Sequence, residues 1–346
     1  MSKGLYIHIP FCRQKCIYCD FYSLAGEADE RYADAVTRNI TAYGGHYDTV
    51  FFGGGTPTLM PPSQTAKILC AADTAEDAEV TMEANPETVD ADKLAAYRDA
   101  GVNRISFGVQ SANDDELAML HRIHDAETAV RAIETAGRYF DDISADIMLG
   151  LPFADERKLR HTLDVMTSLP LTHISAYILK VEEGTPLSRD RTLLSGIDED
   201  RSADLYEMTV QYLADRGFEQ YEISNFAREG CKCRHNLIYW HGEEYVGIGP
   251  GAYSFTGGRR FHVPRGIDSF ITAPRQAEIT DEESVDPEEE RIMLGLRLTE
   301  GIALEGERRS TAEGFVRMGL MTRKGGRYAL TVKGMLVSNE IIARII

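Results

Sequence analysis

The sequence predicts an α/β protein with a mostly parallel sheet, followed by a smaller C-terminal unit. Three observations lead to this prediction: six short runs rich in β-branched residues, a helical pattern after each run, and a change of pattern after Gly217. A strand followed by a helix, repeated in this way, is typical of parallel strands joined by right-handed crossovers. The repeats fit either a doubly wound sheet or an open barrel of the TIM type, and periodicity alone does not choose between them.

The predicted strands and helices alternate along the first two thirds of the chain. Strands are predicted at Leu5–Ile9, Val50–Phe52, Val80–Met82, Arg104–Val109, Ser144–Leu149 and His173–Leu179. Helices are predicted at Asp29–Ala42, Ser63–Ala75, Asp90–Ala100, Ala126–Ala136, Arg157–Ser168 and Asp200–Arg216. Because domains usually have about 100–200 residues, the 346 residues of the chain allow one large domain and a smaller one.

A small α+β unit is predicted beyond an acidic stretch at Glu278–Glu290. Its elements are helices at Pro287–Leu298 and around Thr311–Met318, a hairpin at Leu320–Leu330 that turns at Gly325-Gly326, and a last helix to Ile346. This order resembles a winged helix, a module that often binds nucleic acid.

The charge of the chain argues against nucleic acid or an anionic membrane surface as its main partner. The formal net charge is −18 and the isoelectric point is about 5.0, whereas binding by counterion release needs clustered Lys and Arg. No signal peptide is expected, and no stretch reaches the roughly 18 apolar residues of a membrane span. The cytoplasm is therefore the expected compartment, where six cysteines indicate metal or redox chemistry rather than disulfides.

Three cysteines, Cys12, Cys16 and Cys19, follow the first predicted strand. Thiolates with this spacing on a short loop can bind three irons of a [4Fe-4S] cubane and leave the fourth iron open. A structural zinc ion normally takes four protein ligands, and the nearest candidate for the fourth, His8, lies within the strand pattern. The spacing therefore favours a cluster over zinc and over three inert thiols.

Polar or glycine residues stand at the predicted ends of the strands, where a parallel barrel carries its functional residues. They are Gly53-Gly54-Gly55-Thr56-Pro57, Glu83, Asn85, Gln110, Asp146, Gly150, Tyr177 and Lys180. A triple-glycine turn lets backbone groups approach a ligand closely, although the same turn also makes a tight bend. Glu83 and Asp146 are candidates to hold a ribose or an ammonium group, and Arg122 is a candidate to pair with a carboxylate. Each of them, taken singly, is also compatible with an exposed charge at the barrel rim.

Several sequence blocks together resemble the radical-SAM proteins related to oxygen-independent coproporphyrinogen III oxidase. The blocks are LYIHIPFCRQKCIYCDF, FFGGGTPT, ISFGVQS, LHRIHDAETA, ADIMLGLP and HNLIYW, and the resemblance extends over nearly the whole chain. It implies an incomplete (β/α)6 barrel of the TIM type with a winged-helix-like C-terminal domain. The implied division is residues 1–230 for the barrel, 231–277 for a connecting segment with the HNxxYW block, and 278–346 for the C-terminal domain.

The same resemblance implies the cofactors and the residues that hold them. A [4Fe-4S] cluster is implied at Cys12, Cys16 and Cys19. S-adenosylmethionine (SAM) is implied at Tyr6, Tyr18, Gly54, Gly55, Thr56, Glu83, Gln110, Arg122 and Asp146.

One position separates this chain from the oxidase of that family. The oxidase has a further cysteine two residues past the third cluster cysteine, and this chain has Phe21 there. The resemblance therefore favours the heme chaperones of the family, in which an HNxxYW block is associated with heme. That block makes His235 the candidate axial ligand of heme, the alternative being that His235 and Trp240 only pack in the core. Cys231-x-Cys233, just upstream, is either a thiolate ligand or redox handle, or a pair of uninvolved thiols.

The predicted function is that of a heme chaperone that passes heme to hemoproteins of the respiratory chain. An electron donor for the cluster is expected as a further partner, membrane contact is expected only through partners, and no nucleic acid is expected. Two rival hypotheses belong to other classes. One is an enzyme, either the oxidase itself or a radical-SAM methylase, and the other is a regulatory nucleic-acid module built on the C-terminal unit.

Overall fold

A twelve-stranded sheet, counted over the residues that the computed structural model describes (3–280 and 286–346), forms the body of the chain. Its central strands are parallel and follow the order of the sequence. They are β1 (Lys3–Ile9), β2 (His46–Gly54), β3 (Asp73–Ala84), β4 (Arg104–Gln110), β5 (Asp142–Leu149) and β6 (His173–Ile178). The main helices are α1 (Glu30–Tyr43), α2 (Pro62–Ala71), α3 (Ala91–Asp99), α4 (Ala126–Ala136), α5 (Glu156–Ser168) and α6 (Glu199–Ala214). The predicted α/β fold with parallel strand–helix units is confirmed.

Local signals explain why the predicted helix starts lie within one residue of the observed ones. Most of the main helices begin after an aspartate whose side chain accepts a hydrogen bond from an N–H of the first turn. These aspartates are Asp29, Asp90, Asp125, Asp155 and Asp198. The helix α2 begins instead at Pro62, whose fixed φ suits the first turn of a helix.

The predicted end of α2 was wrong. The helix was expected to reach Ala75, but it ends at Ala71, and β3 begins at Asp73. Asp73 and Thr74 pair with His46 and Tyr47 at the start of β2. Pairing between strands that are distant in the sequence therefore overrides the helical preference of a local run that contains several alanines.

The strand β1 separates a hydrophobic core from a polar interior. Leu5, Ile7 and Ile9 are buried in the same core as Tyr32 and Val36 of α1. Because side chains alternate along a strand, Tyr6 and His8 lie on the opposite face, inside the sheet. The candidate site lies at the C-terminal end of this inner face.

Further strands extend the sheet at both edges. Next to β1, Glu244–Ile248 is parallel, and Tyr253–Thr256, Arg259–His262 and Ile279–Thr280 follow as antiparallel strands. Next to β6 lie the antiparallel strands Asn225–Ala227 and Glu219–Gln220. Residues 231–277, expected as a connecting segment, thus supply strands to the sheet of the barrel. The boundaries at residues 230 and 277 stay a prediction, and part of the expected acidic stretch, residues 281–285, lies outside the described residues.

Short elements complete the body of the chain. Two-residue strands at Phe11–Cys12 and Leu24–Ala25 pair with each other in the cysteine loop. Short helices lie at Pro57–Leu59, Pro86–Thr88, Asp114–Met119, Leu187–Arg189, Arg191–Leu194, Arg234–Trp240 and Ile267–Thr272.

The C-terminal unit combines four helices with a small antiparallel sheet among the described residues. The helices are Pro287–Gly295, Gly306–Arg317, Val332–Leu336 and Ser338–Ile345, and the strands are Ile302–Ala303, Met321–Lys324 and Arg327–Leu330. Gly325 and Gly326 both have positive φ, of 58° and 80°, at the turn of the hairpin. No helix in the described part of the chain has the length and apolar character that a membrane span requires.

Candidate cofactor site

The cysteine loop leaves the C-terminal end of β1 and folds back onto the sheet. Cys12 lies in the short strand after β1, and the N–H of Cys19 donates to the carbonyl of Cys16 at 3.3 Å. His8 ties the end of the loop to β1, because its Nε2 lies 2.9 Å from the carbonyl oxygen of Tyr22. Cys12, Cys16 and Cys19 are all half-buried and line one cavity at this end of the barrel.

The three thiols do not form a site for a single metal ion. Among the described residues, no group of three or more His, Cys, Asp or Glu side chains is placed to hold one ion. A [4Fe-4S] cubane binds each thiolate through a different iron, so that its ligands do not meet at one point. The donor set, three thiols on one short loop, therefore suits a cubane with one open iron better than structural zinc, which normally takes four protein ligands.

The glycine turn after β2 packs directly against the cysteine loop. The N–H groups of Gly55 and Thr56 donate to the carbonyls of Ile9 and Phe11, at 2.9 and 2.7 Å. A Cβ at Gly55 would lie 2.5 Å from the carbonyl oxygen of Phe11, which is too close for any other residue. Gly54 has φ of +111°, a conformation that L side chains rarely adopt. Glycine is thus required here for the backbone of the turn to reach the cavity.

Arg122 places a fixed cation beside the thiols. Its Nη2 donates to Oδ1 of Asn85 at 2.8 Å and to the carbonyl of Gly108 at 2.6 Å, and its Nη1 lies 3.3 Å from Sγ of Cys16. Burial alone would lower the pKa of Arg122, but the nearby phenol of Tyr18 and the thiol of Cys16 raise that pKa above its ordinary value. The buried Nε has no hydrogen-bond partner among the described residues. This guanidinium suits an anionic cluster or the carboxylate of a ligand.

Two half-buried acids, Glu83 and Asp146, lie on the inner face of β3 and β5. Gly54 donates its N–H to Oε2 of Glu83 at 3.1 Å, and Oγ of Ser106 lies 3.5 Å from Oδ1 of Asp146. Burial and the nearby Asp146 raise the pKa of Glu83 from 4.5 to about 8. Burial raises the pKa of Asp146 from 3.8 to about 6. A cationic group bound between these acids would favour their ionised forms.

Gln110 closes the cavity from the end of β4. The register between β4 and β5 shifts between Gly108 and Gln110, and Gln110 has φ of +74°. Such a bulge turns a side chain away from its regular direction, and strained backbone of this kind is concentrated at functional sites. Tyr177 fixes the side chain of Gln110 in this orientation, since the Tyr177 hydroxyl donates to Oε1 of Gln110 at 2.8 Å.

The structure brings most of the predicted residues together in this cavity. They are Cys12, Cys16, Tyr18, Cys19, Gly54, Gly55, Glu83, Gln110, Arg122 and Asp146. Ser106 and Gly108 line it too, and the inward alternation of β4 could have identified them from the sequence.

Two of the predicted SAM residues, Thr56 and Tyr6, are not in its lining. Thr56 is buried behind the loop, where its Oγ1 donates to Sγ of Cys12 at 3.6 Å. The hydroxyl of Tyr6 lies 3.1 Å from Nδ1 of His8, and both residues line a second cavity.

His235 lies deep in the interior, which does not fit its predicted role as a heme ligand. Its ring is 1% exposed, with Nδ1 2.7 Å from Oγ1 of Thr49 and Nε2 2.8 Å from the hydroxyl of Tyr239. Burial lowers the pKa of His235 to about 3. An imidazole with both nitrogens engaged would have to give up a buried hydrogen bond to reach an iron.

The thiols upstream of His235 are also held inside. Cys233 is buried with its Sγ 3.5 Å from Oε1 of Glu79, which also accepts the N–H of His235 at 3.0 Å. Burial raises the pKa of Cys233 to about 12, which disfavours the thiolate. The alternative in which this block packs in the core is the one that the geometry supports.

The second cavity was not predicted. It encloses about 790 Å³ beside the cysteine loop, and Phe21 lines both cavities. Its walls are rich in aromatic residues, which are Tyr6, Phe21, Tyr22, Tyr239, Tyr245 and Tyr253. These residues come from segments far apart in the sequence, so only the Tyr-rich composition of residues 239–253 hinted at such a wall.

Comparisons with known proteins are consistent with this arrangement. The family model described as the Radical SAM superfamily matches residues 6–166. The heme chaperone HemW of Bacillus subtilis (strain 168) is 34% identical over 98% of this chain and 98% of its own length. The heme chaperone HemW of Escherichia coli (strain K12) is 39% identical over 80% of this chain and 79% of its own length.

Among solved structures, the coproporphyrinogen III oxidase HemN from Escherichia coli, a radical SAM enzyme, has a similar fold. The TM-score is 0.81, and the match covers 99% of this chain and 90% of that chain. Because the two sequences are 19% identical, this likeness shows the fold alone.

Proposed function

This chain belongs to the radical SAM superfamily and, within it, to the HemW heme chaperones, and on that premise we propose that it binds heme and transfers it to hemoproteins of the respiratory chain. We further propose a [4Fe-4S] cluster and SAM as its cofactors. The observation that carries the cofactor proposal is the meeting of three thiols, a glycine turn, a guanidinium and two half-buried acids in one cavity.

Each group of the cavity has a defined task in this proposal. Cys12, Cys16 and Cys19 would each bind one iron and leave the fourth iron to SAM. Arg122 would hold an anionic charge beside Cys16, and Glu83 and Asp146 would hold the ammonium group or the ribose hydroxyls. When bound, a reduced cluster supplies an electron for the reductive cleavage of SAM. An electron donor is therefore proposed as a further partner.

Phe21 supports the chaperone rather than the oxidase. It occupies the position at which the oxidase has a further cysteine, and its side chain is 59% exposed. A phenyl ring offers neither a thiolate nor a proton, so it cannot take over the chemistry of a thiol. Its exposed apolar surface suits contact with an apolar ligand or partner.

The remaining parts of the proposal concern location and partners. We propose a cytoplasmic protein that meets membranes only through its acceptor proteins and does not bind nucleic acid. The net charge of −18 supports this, because an acidic chain is repelled by nucleic acid and by anionic lipid.

Anaerobic reconstitution of the full chain tests the proposal on one sample. We expect a cluster with SAM-dependent spectral changes, heme binding seen as a Soret shift, and no oxidation of coproporphyrinogen III. Oxidation of coproporphyrinogen without heme binding would establish the oxidase instead, and a methylated product with S-adenosylhomocysteine would establish a methylase. Replacement of Cys12, Cys16 or Cys19 by alanine should abolish the cluster. The matched control is Cys70→Ala, because Cys70 is exposed and lies on α2.

A further inference from the structure

We propose that the aromatic cavity beside the cysteine loop is the heme site, with His262 as the iron ligand and Arg265 as the partner of a propionate. The inference rests on the proposed function and deepens it, since it replaces His235 of the HNxxYW block as the iron ligand, while Tyr239 of that block lines the cavity. The cavity of about 790 Å³ falls within the range of about 300–1,000 Å³ in which proteins bury small ligands and cofactors.

The walls of the cavity match a flat, apolar ring. Phe21 and Tyr253 on its rim are 59% and 56% exposed, and Ile279 is 47% exposed. Large apolar side chains that share such a patch mark a binding surface rather than a solvated one. Aromatic rings can stack on a porphyrin or meet its edge, and both arrangements are favourable.

The two imidazoles of the cavity differ in access. His8, near the end of β1, is buried and only 5% exposed. His262 is half-buried on an edge strand, and its ring packs against Tyr253 with the centroids 5.2 Å apart. His262 is therefore the more exposed of the two imidazoles that line the cavity, and it is the one that would be offered to the iron of a bound heme.

Arg265 supplies charge complementarity at the rim. It is exposed, and its guanidinium lies over the ring of Tyr22, 5.7 Å from the centroid. An arginine can pair with a carboxylate through two parallel hydrogen bonds, as a propionate requires. Asp20 is also exposed and lines the cavity. Among the described residues, Arg265 is the only Lys or Arg in the lining, so it is the side chain there that favours an anionic ligand.

The position of the cavity couples heme to the cofactor site. Asp20, Phe21 and Tyr22 follow directly after Cys19, and Phe21 contributes to both cavities. A heme in the aromatic cavity would therefore contact the loop that carries the cluster. In place of the cysteine of the oxidase, Phe21 provides an apolar wall that separates the two sites.

Titration of the full-length, cluster-loaded chain with three porphyrins tests the site. The probes are hemin, hemin dimethyl ester and iron-free protoporphyrin IX, and the variants are His262→Ala, Arg265→Gln and Phe21→Ala. The matched controls are His161→Ala and Arg157→Gln on α5, both exposed, and Met318→Ala, whose side chain is 69% exposed in the C-terminal unit. Circular dichroism verifies that each variant is folded.

Each variant has its own expected signature. His262→Ala should weaken hemin binding by about tenfold or more and change the spin state of the iron, while iron-free protoporphyrin binds as before. Arg265→Gln should remove the preference for hemin over its dimethyl ester. Phe21→Ala should weaken binding of all three porphyrins.

The possible failures are distinguishable. If the unmodified chain binds no hemin, the proposed function itself is wrong. If it binds hemin and all three variants bind like their controls, heme lies elsewhere and this inference is overturned. If only His235→Ala loses hemin binding while its chain stays folded, His235 of the HNxxYW block is the iron ligand and this inference is overturned.

Discussion

At the scale of single residues, the protonation of Glu83 links the cofactor site to the stability of the fold. The folded chain keeps a proton on Glu83 up to pH of about 8, whereas an unfolded chain releases it near 4.5. The free energy of unfolding should therefore fall as the pH rises from about 4.5 to about 8, because the unfolded state is then the one that has lost the proton. Without cofactors, the ionised form of Glu83 thus destabilises the folded chain, and a cationic ligand beside Glu83 would remove this loss of stability.

We predict that Glu83→Gln raises the melting temperature of the cofactor-free protein at pH 8 and leaves it nearly unchanged at pH 4.5. The neutral amide can still accept the hydrogen bond from Gly54 and removes the buried charge. In the same variant, SAM should bind about tenfold more weakly or worse, because a charge-assisted contact is lost. Thermal unfolding and SAM titration measure the two effects.

The matched control for this variant is Glu134→Gln, at an exposed position on α4. It should change neither the pH dependence nor the SAM affinity. A melting temperature of Glu83→Gln below that of the unmodified chain at pH 8 would contradict the assignment of Glu83 as a carboxyl whose ionised form destabilises the folded chain.

At the scale of elements, the glycine turn after β2 determines how closely two loops approach. We predict that Gly55→Ala abolishes stable assembly of the cluster, because a Cβ 2.5 Å from the carbonyl oxygen of Phe11 pushes the cysteine loop away. Iron and sulfide analysis after reconstitution measures the loss. Gly314→Ala, inside the helix Gly306–Arg317, should instead stabilise the chain by about 0.5–1 kcal/mol through helix propensity. Normal cluster content in Gly55→Ala would show that the turn can relax without cost.

The short helix Arg234–Trp240 is interpreted as a structural element of the barrel interior. We predict that His235→Ala destabilises the protein by about 2–4 kcal/mol, because it leaves a cavity and the hydroxyls of Thr49 and Tyr239 without their partner. Heme affinity of the folded fraction should not change. Denaturant unfolding and heme titration measure both quantities.

The control for this variant is His241→Ala at the end of the same helix, where the side chain is 39% exposed and an effect below about 1 kcal/mol is expected. A stable His235→Ala protein without heme affinity would contradict the structural role.

At the scale of the whole molecule, one hydrophobic core joins the barrel to the C-terminal unit. Tyr206 of α6 donates its hydroxyl to the carbonyl of Ile223 at 2.7 Å and lies 3.4 Å from Sδ of Met335. The N–H of Thr299 donates to the carbonyl of Tyr221 at 3.0 Å, and the backbones of Glu222 and Leu298 pair in an isolated antiparallel β-bridge. The C-terminal unit thus covers the edge of the sheet beyond β6.

We predict that the full chain unfolds in one cooperative transition and that a chain ending at residue 280 does not fold stably. Truncation would expose apolar side chains of the shared core and remove the residues that cover Glu222. Calorimetry of the full chain and circular dichroism of the truncated chain measure this. Two separate transitions, or a truncated chain with an unchanged melting temperature, would show that the units are independent.

The sequence by itself determined the parallel strand–helix units, the starts of the main helices and the grouping of most of the cofactor residues. These features depend on local spacing: aspartate caps, β-branched runs, and polar residues that follow each strand. Parallel strands then bring their ends together, which is why Cys12, Glu83 and Asp146 line one cavity.

Only the tertiary structure decided the burial of His235, the strand Glu244–Ile248 beside β1, and the aromatic cavity. Each depends on contacts between distant segments: His235 with Thr49, Val246 with Leu5. Such contacts leave no periodic trace in either segment. A motif such as HNxxYW therefore shows which residues occur together, whereas the packing around it determines whether they can reach a ligand.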